Sequence, residues 1–376
     1  MRPVDGVDAA VIFFSSVGRH RVMATSDYAV GIIGCGGMGE RHAAAYENVP
    51  TTEVVAAADL DGEVLSRFGD TYGIEYLYES YEAMLAEESL DIVSIASAVS
   101  THARMVIDAC QANIGGIYCE KPMSRNLGEA RQMVSAAERN DVILTIGTQR
   151  RFCPGHQRIR ELIADKVIGE PEMVWAVGYG GMLNTGTHVI DAVLQFLGDP
   201  EPSWVMGQTE RQTDRYCRGY ICEDRSVAQI GFDNDVRLSL EMDIPRPPTD
   251  KFGIKIYGTR GVMEVDWERG ATVHGVNGTT EYYPPPVDDV FAEYVEALVD
   301  VIDGDRPSHP CEGPVAATTV ETMMGIYEST RQHGMVEFPL RIKANPLEVM
   351  AETGELPVEY PGRYDIRHPP HRVPTE

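Results

Sequence analysis

Two short stretches of the chain combine residue types and spacings that could do chemistry. The first is Gly34-Cys35-Gly36-Gly37-Met38-Gly39, which leaves the apolar run Ala29-Val30-Gly31-Ile32-Ile33 and enters a helical segment from Glu40 to Asn48. With glycines spaced Gly-x-Gly-x-x-Gly, Gly34 permits a tight turn, Gly36 admits a pyrophosphate and Gly39 allows close helix–strand packing. Gly37 and Met38 complete the turn, whose helix-terminal N–H groups meet phosphates. Asp59 ends the next strand, 20 residues beyond Gly39. A carboxylate there can accept both ribose hydroxyls and repels an added 2′-phosphate, so NAD is the expected cofactor rather than NADP. Asp59-Leu60-Asp61-Gly62 is also good turn chemistry without any ligand.

The second stretch is Glu120-Lys121-Pro122, directly after the strand Gly116-Ile117-Tyr118-Cys119. It falls at the carboxyl edge of the sheet, where open α/β proteins bind ligands. A partly desolvated lysine near other cations has its pKa lowered toward neutrality and can exchange a proton. Lysine is scarce here, at positions 121, 166, 251, 255 and 343 only.

The elements that must position these residues follow from hydrophobic periodicity. From Tyr28, short apolar strands alternate with helices through strands 53–58, 92–96, 116–119 and 142–147, which predicts a doubly wound parallel Rossmann sheet. After Phe152 the rhythm changes. A helix opened by Pro154 is followed by closely spaced strands at 173–177, 226–232, 236–242, 255–257 and 261–265, then helices at 289–302 and 315–332, which predicts an α+β domain with a mostly antiparallel open sheet. The expected division is an N-terminal extension over 1–27, a dinucleotide-binding domain over 28–150, a substrate-binding domain over 151–340, and an extended Pro-rich tail over 341–376. Met23 is an alternative start.

Composition narrows the partners. With 32 basic and 58 acidic residues the formal charge is −26, which repels nucleic acid and anionic membrane surfaces. The charge and the arginine bias suit either a high-salt cytoplasm or a GC-rich genome. No run approaches the roughly 20 apolar residues of a membrane span. Seven cysteines without a CxxC pair signal neither disulfide framework nor zinc site, so reduced thiols in a cytoplasm are expected. His368 and His371 sit in a proline-rich stretch unsuited to a closed metal site, and no metal is expected.

The glycine turn, Asp59, Glu120-Lys121-Pro122 and Gly186-Thr187-His188-Val189-Ile190-Asp191 together resemble the Gfo/Idh/MocA oxidoreductases, the family of glucose-fructose oxidoreductase and inositol dehydrogenase, over roughly residues 28 to 340. The resemblance implies that Lys121 lies between nicotinamide and substrate, that His188 faces it from the second domain and shares acid–base work, and that Ser97 to His102 and Glu120 border the cofactor. Ala98 replaces a proline common in relatives. Asp191, at i+3 from His188, shares its helical face and could touch the imidazole ring, orient the substrate or cap local structure. Gly147-Thr148-Gln149-Arg150-Arg151-Phe152 resembles the family segment that lines the cleft, where Arg151, or its neighbour Arg150, could bind substrate hydroxyls, a carboxylate or a cofactor phosphate. The family pattern places an aspartate where this chain has Asn184, an amide able to hydrogen-bond a hydroxyl but unable to take its proton.

The expected function is reversible NAD-dependent oxidation of a secondary hydroxyl on a sugar, sugar derivative or cyclic polyol. The alternatives are a glycoside hydrolase or lyase using transient oxidation, and a ligand sensor that binds dinucleotide without turnover. The resemblance implies a homo-oligomer, dimer or tetramer, because the family commonly pairs the open sheets of its second domain, whose uncovered face would otherwise expose apolar surface.

Overall fold

A computed structural model describes residues 27–246, 253–362 and 364–367. Met23, the extension before it and the pair His368 and His371 lie outside the described residues.

The first domain alternates strictly: β1 (Tyr28–Ile33), α1 (Gly37–Glu47), β2 (Thr52–Ala58), α2 (Gly62–Tyr72), β3 (Tyr76–Tyr78), α3 (Tyr81–Glu87), β4 (Ile92–Ile95), α4 (Val99–Ala109), β5 (Gly116–Cys119), α5 (Leu127–Arg139) and β6 (Ile143–Ile146). The six strands form one parallel sheet in the order β3-β2-β1-β4-β5-β6. Every residue of β4 and β5 is buried, as expected of parallel strands covered by helices on both faces. Chain order reverses between β1 and β4, so the crevice beyond their carboxyl ends is the topological switch point where ligands bind.

The second domain comprises α6 (Pro154–Ala164), β7 (Pro171–Gly178), a π-helical turn (Gly181–Gly186), α7 (Thr187–Leu197), β8 (Pro202–Glu210), β9 (Tyr216–Cys217), β10 (Tyr220–Ile221), β11 (Arg225–Phe232), β12 (Arg237–Met242), β13 (Gly253–Gly258), β14 (Gly261–Asp266), β15 (Gly270–Gly275), β16 (Gly278–Tyr282), α8 (Val290–Asp303), α9 (Gly313–Gln332), β17 (Val336–Glu337) and α10 (Pro346–Thr353). Nine strands build a sheet in the order β16-β15-β14-β13-β7-β12-β11-β8-β17. All its neighbours are antiparallel except β7 with β12. β9 and β10 pair only with each other, in a hairpin apart from that sheet. α9 packs on β8 and also on α5, joining the two domains. On the opposite face of the sheet Met173, Met206 and Val227 are exposed.

The segment 341–376, expected to be an extended tail, departs from that expectation. Pro346 sits in the first turn of α10, where its missing N–H costs nothing, and Asn345 caps the helix by accepting from Leu347 N at 2.9 Å. Leu347 and Met350 are buried. Farther on, Tyr216 N donates to Tyr364 O and Ile366 N donates to Tyr216 O, so this part of the chain braces the β9–β10 hairpin.

Candidate active site

The glycine turn fits a dinucleotide pyrophosphate. Gly34 has a φ of +94°, and a β-carbon there would lie 2.8 Å from the Ala96 carbonyl carbon; at Gly39 it would lie 2.0 Å from Gly34 O. These two glycines are required by contact with the protein itself. Gly36 and Gly37 differ, since a β-carbon on either would meet no protein atom within 4 Å. The turn therefore keeps an open concave side, and no side chain caps the N-terminus of α1, which leaves its first amides free for an anion. Asp59 is tied to the turn by Cys35 N, which donates to Oδ2 at 2.7 Å, and by Asp61 N, which donates to Oδ1 at 2.9 Å. Each oxygen keeps a second lone pair for a ribose hydroxyl.

Beside this turn, Met38, Ser97, His102, Glu120, Lys121 and Asn184 line one cavity. The loop after β4 supplies Ser97, whose hydroxyl pairs with Thr101 Oγ1 at 2.9 Å. His102 is buried in α4 with both ring nitrogens at main-chain carbonyls, Nδ1 at Pro122 O and Nε2 at Ser97 O. It thus clamps together the two loops that carry Ser97 and Lys121. Glu120 is also buried. His42 Nε2 lies 3.1 Å from its Oε1, Lys121 N donates to its Oε2 at 3.0 Å, and the second nitrogen of His42 meets Ser94 Oγ at 2.7 Å. The carboxylate that precedes Lys121 therefore fixes the main chain of the lysine rather than its ammonium.

Lys121 Nζ donates to Asn184 Oδ1 at 3.5 Å, across the domain junction, while Asn184 Nδ2 donates to Gly180 O at 3.2 Å. Burial pushes the Lys121 pKa below its ordinary value; Glu120 opposes this, while Arg218 and Arg150 reinforce it. His188, in the first turn of α7, has its pKa driven well below that of a free imidazole by burial and by Lys121, Arg150 and His156. Its ring is therefore neutral at neutral pH.

Arg151 and Asp191, both expected to touch substrate, are instead bound to each other. The Arg151 side chain is 1% exposed. Its Nε donates to Asp191 Oδ1 at 2.9 Å and its Nη1 to Asp199 Oδ1 at 2.7 Å. Burial works against the guanidinium charge, but Asp191 and Asp199 outweigh it and hold Arg151 protonated. Gln195, one turn beyond Asp191, donates to Arg151 O at 2.8 Å and meets His156 Nδ1 at 3.1 Å. One face of α7 is thereby locked onto residues 151–156, which sets the position of His188. Arg150 is also engaged, paired with Glu268 at 2.7 Å and lying over the Trp267 ring.

Two cavity residues escape the sequence reading, Arg218 and Tyr220. Both belong to the β9–β10 hairpin, whose two-residue turn is Arg218-Gly219 with φ values of 45° and 90°. The signal available was Arg-Gly between two short apolar pairs, too brief for a periodicity argument.

Two family profiles match the chain: an oxidoreductase family with an NAD-binding Rossmann fold (GFO_IDH_MocA) over residues 28–148, and the GFO/IDH/MocA C-terminal domain over residues 174–264. The protein belongs to the Gfo/Idh/MocA oxidoreductase family, and NAD is its cofactor. Among curated relatives, a D-apiose dehydrogenase from Paraburkholderia graminis is 39% identical over 140 residues, which is 37% of each chain. An inositol 2-dehydrogenase from Rubrobacter xylanophilus is 27% identical over 264 residues, 65% of this chain and 73% of that enzyme. Among solved structures, levoglucosan dehydrogenase in complex with NADH superposes with a TM-score of 0.72 at 18% identity, covering 83% of this chain and 99% of the other. At that identity the superposition speaks for the fold alone.

Proposed function

We propose that the protein is an NAD-dependent dehydrogenase that oxidises a secondary hydroxyl of a sugar, sugar derivative or cyclic polyol. The observation that carries this reading is Lys121. Among the described residues its ammonium has no carboxylate partner, only the neutral Asn184 amide at 3.5 Å, and it lines the cavity that adjoins the glycine turn.

Bound NAD supplies a hydride acceptor at its nicotinamide. Gly34, Gly36, Gly37, Met38 and Gly39 would hold the pyrophosphate, and Asp59 the ribose. As the substrate carbon gives up hydride, its hydroxyl oxygen loses a proton, which neutral Lys121 Nζ accepts; in the reverse direction the ammonium returns it. The depressed pKa of His188 makes it a weak base, suited to hydrogen-bonding the reacting oxygen while Lys121 takes the proton. Asn184, joined to Lys121, would orient the same oxygen or its neighbour. Arg151 and Asp191 support this site by positioning α7.

The test is NAD reduction against a panel of aldoses, sugar derivatives and inositols, alongside NADH binding. Turnover with at least one polyol supports the reading; NADH binding without turnover on any of them overturns it. The exposed sheet face bearing Met206 and Val227 is assigned to a second copy of the chain. Light scattering after size exclusion tests this, and a monomer at micromolar concentration would reject it.

A further inference from the structure

We propose that the substrate of this site carries a carboxylate, as in a sugar acid or a carboxylated cyclic polyol, and that the Arg218 guanidinium receives it beside Lys121. The inference rests on the dehydrogenase reading for the identity of the site, and adds to it the class of molecule the site selects.

The argument begins with charge accounting around the cavity. Arg150 is paired with Glu268, Arg151 with Asp191 and Asp199, and Arg215 with Asp243. The carboxylates of the region are equally occupied. Glu120 receives His42 and the Lys121 amide, Asp243 receives Gly180 N, Gly181 N and Arg215, and Glu223 receives Met182 N and the Tyr327 hydroxyl. Arg218 has no ion pair among the described residues, in a chain with 58 acidic and 32 basic residues. Arg150 is thus neutralised by Glu268, whereas Arg218, which borders the cavity, has no such partner among the described residues and leaves a local unpaired positive charge there. A single carboxylate balances it. A phosphate ester, carrying up to two negative charges, overbalances it and would hold the proton on Lys121, which must be neutral to accept a hydroxyl proton.

Construction supports the same conclusion. Arg218 sits at the tip of a hairpin outside both large sheets, with a left-handed φ of 45° that a non-glycine residue rarely adopts. The hairpin stem is anchored on both sides: Cys217 and Tyr220 are buried beneath it, Arg215 donates to Asp224 O at 2.8 Å, and Tyr216 is hydrogen-bonded to Tyr364 and Ile366. Arg218 is an exposed residue that borders the cavity from this braced arm, and its unpaired guanidinium offers the planar, forked donor set that matches a carboxylate. Tyr220, from the same arm, lines the cavity alongside it.

The experiment uses the full chain loaded with NADH. Binding is read by thermal shift and by titration with D-gluconate, D-galactonate, D-glucuronate, D-galacturonate and quinate, their neutral parents D-glucose, D-galactose and myo-inositol, and D-glucose 6-phosphate. At least one acid is expected to bind about 10- to 100-fold more tightly than its neutral parent, the range of one charge-assisted hydrogen-bonded pair. Arg218→Gln should remove that preference, and Arg218→Lys should restore part of it. Equal binding of acids and neutral parents, preference for the phosphate ester over every acid, or an unchanged preference in Arg218→Gln overturns the proposal. A loss of NADH affinity in Arg218→Gln as large as the loss for the acid assigns Arg218 to the cofactor and also overturns it. Acids that bind through Arg218 but never reduce NAD would uphold this proposal and reject the dehydrogenase reading.

Discussion

Two buried cations lie on either side of the domain junction, and their surroundings differ in kind. Arg151 is surrounded by acceptors, Asp191, Asp199 and the Asp191 carbonyl, and holds its charge permanently. Lys121 is also largely enclosed, but its ammonium is hydrogen-bonded only to an amide, and burial together with Arg218 and Arg150 lowers its pKa against the opposing charge of Glu120. A saturated cation cannot exchange a proton or admit a ligand; it can only hold helices together. An under-satisfied one gives up its proton more readily than a free lysine, which is the direction acid–base work requires. The difference separates framework from chemistry among residues that are all polar, buried and close together.

The largest effect expected on this contrast comes from Lys121→Ala. Turnover should fall by about 10²- to 10⁴-fold, with the midpoint of thermal unfolding close to that of the parent. Near-normal turnover would end the distinction. The converse variant, Arg151→Ala, strands Asp191 without its partner and should cost about 3–5 kcal/mol of stability, measured by urea unfolding. If instead it unfolds with the parent and loses only activity, Arg151 belongs with Lys121.

The two regions should also respond to opposite ends of the pH scale. His156, hydrogen-bonded to the α7 residue Gln195, has its pKa lowered from 6.5 to about 4, chiefly by burial. The unfolded chain takes up that proton below pH 6.5 while the folded one resists it. Stability present above pH 6.5 is therefore lost as pH falls toward about 4, by on the order of 3 kcal/mol. His156→Gln should lack this part of the acid sensitivity in urea unfolding at the two pH values. Activity should instead rise on the alkaline side as Lys121 deprotonates, with a midpoint below the ordinary lysine value of 10.5. The smallest effect is a shift of that midpoint. Removing the Arg218 charge should move it upward, and a profile of kcat/KM against pH that stays fixed would show the two cations to be uncoupled.

Legibility of these regions in the sequence follows the span of chain each one needs. Gly34 to Gly39 is a contiguous turn between an apolar strand and a helix, so its spacing together with that local setting identifies it. Asp59 and Lys121 end strands that are short, apolar and plainly bounded. The pairing of Arg151 with Asp191 spans 40 residues and depends on how α7 settles against residues 151–156. Helical spacing could place Asp191 on the face of His188, but not reveal which neighbour would claim it. The proline content of 341–376 reads as an extended tail because α10, at eight residues, is too short to outweigh it, although Asn345 before Pro346 is a helix-start signal. β9 and β10, two residues each, are too short to show alternation, and so Arg218 passed unnoticed.

The hairpin that presents Arg218 shares no ladder with the nine-stranded sheet or the Rossmann sheet. Its tip residues can therefore be exchanged without shifting the register of any strand that holds the cofactor or Lys121. On the role proposed for Arg218, selection can act on ligand preference there while the cofactor turn and Lys121 stay constant, and an engineer has the same freedom. A library confined to position 218, screened with acidic, neutral and basic polyols, would sample new preferences on an unaltered scaffold.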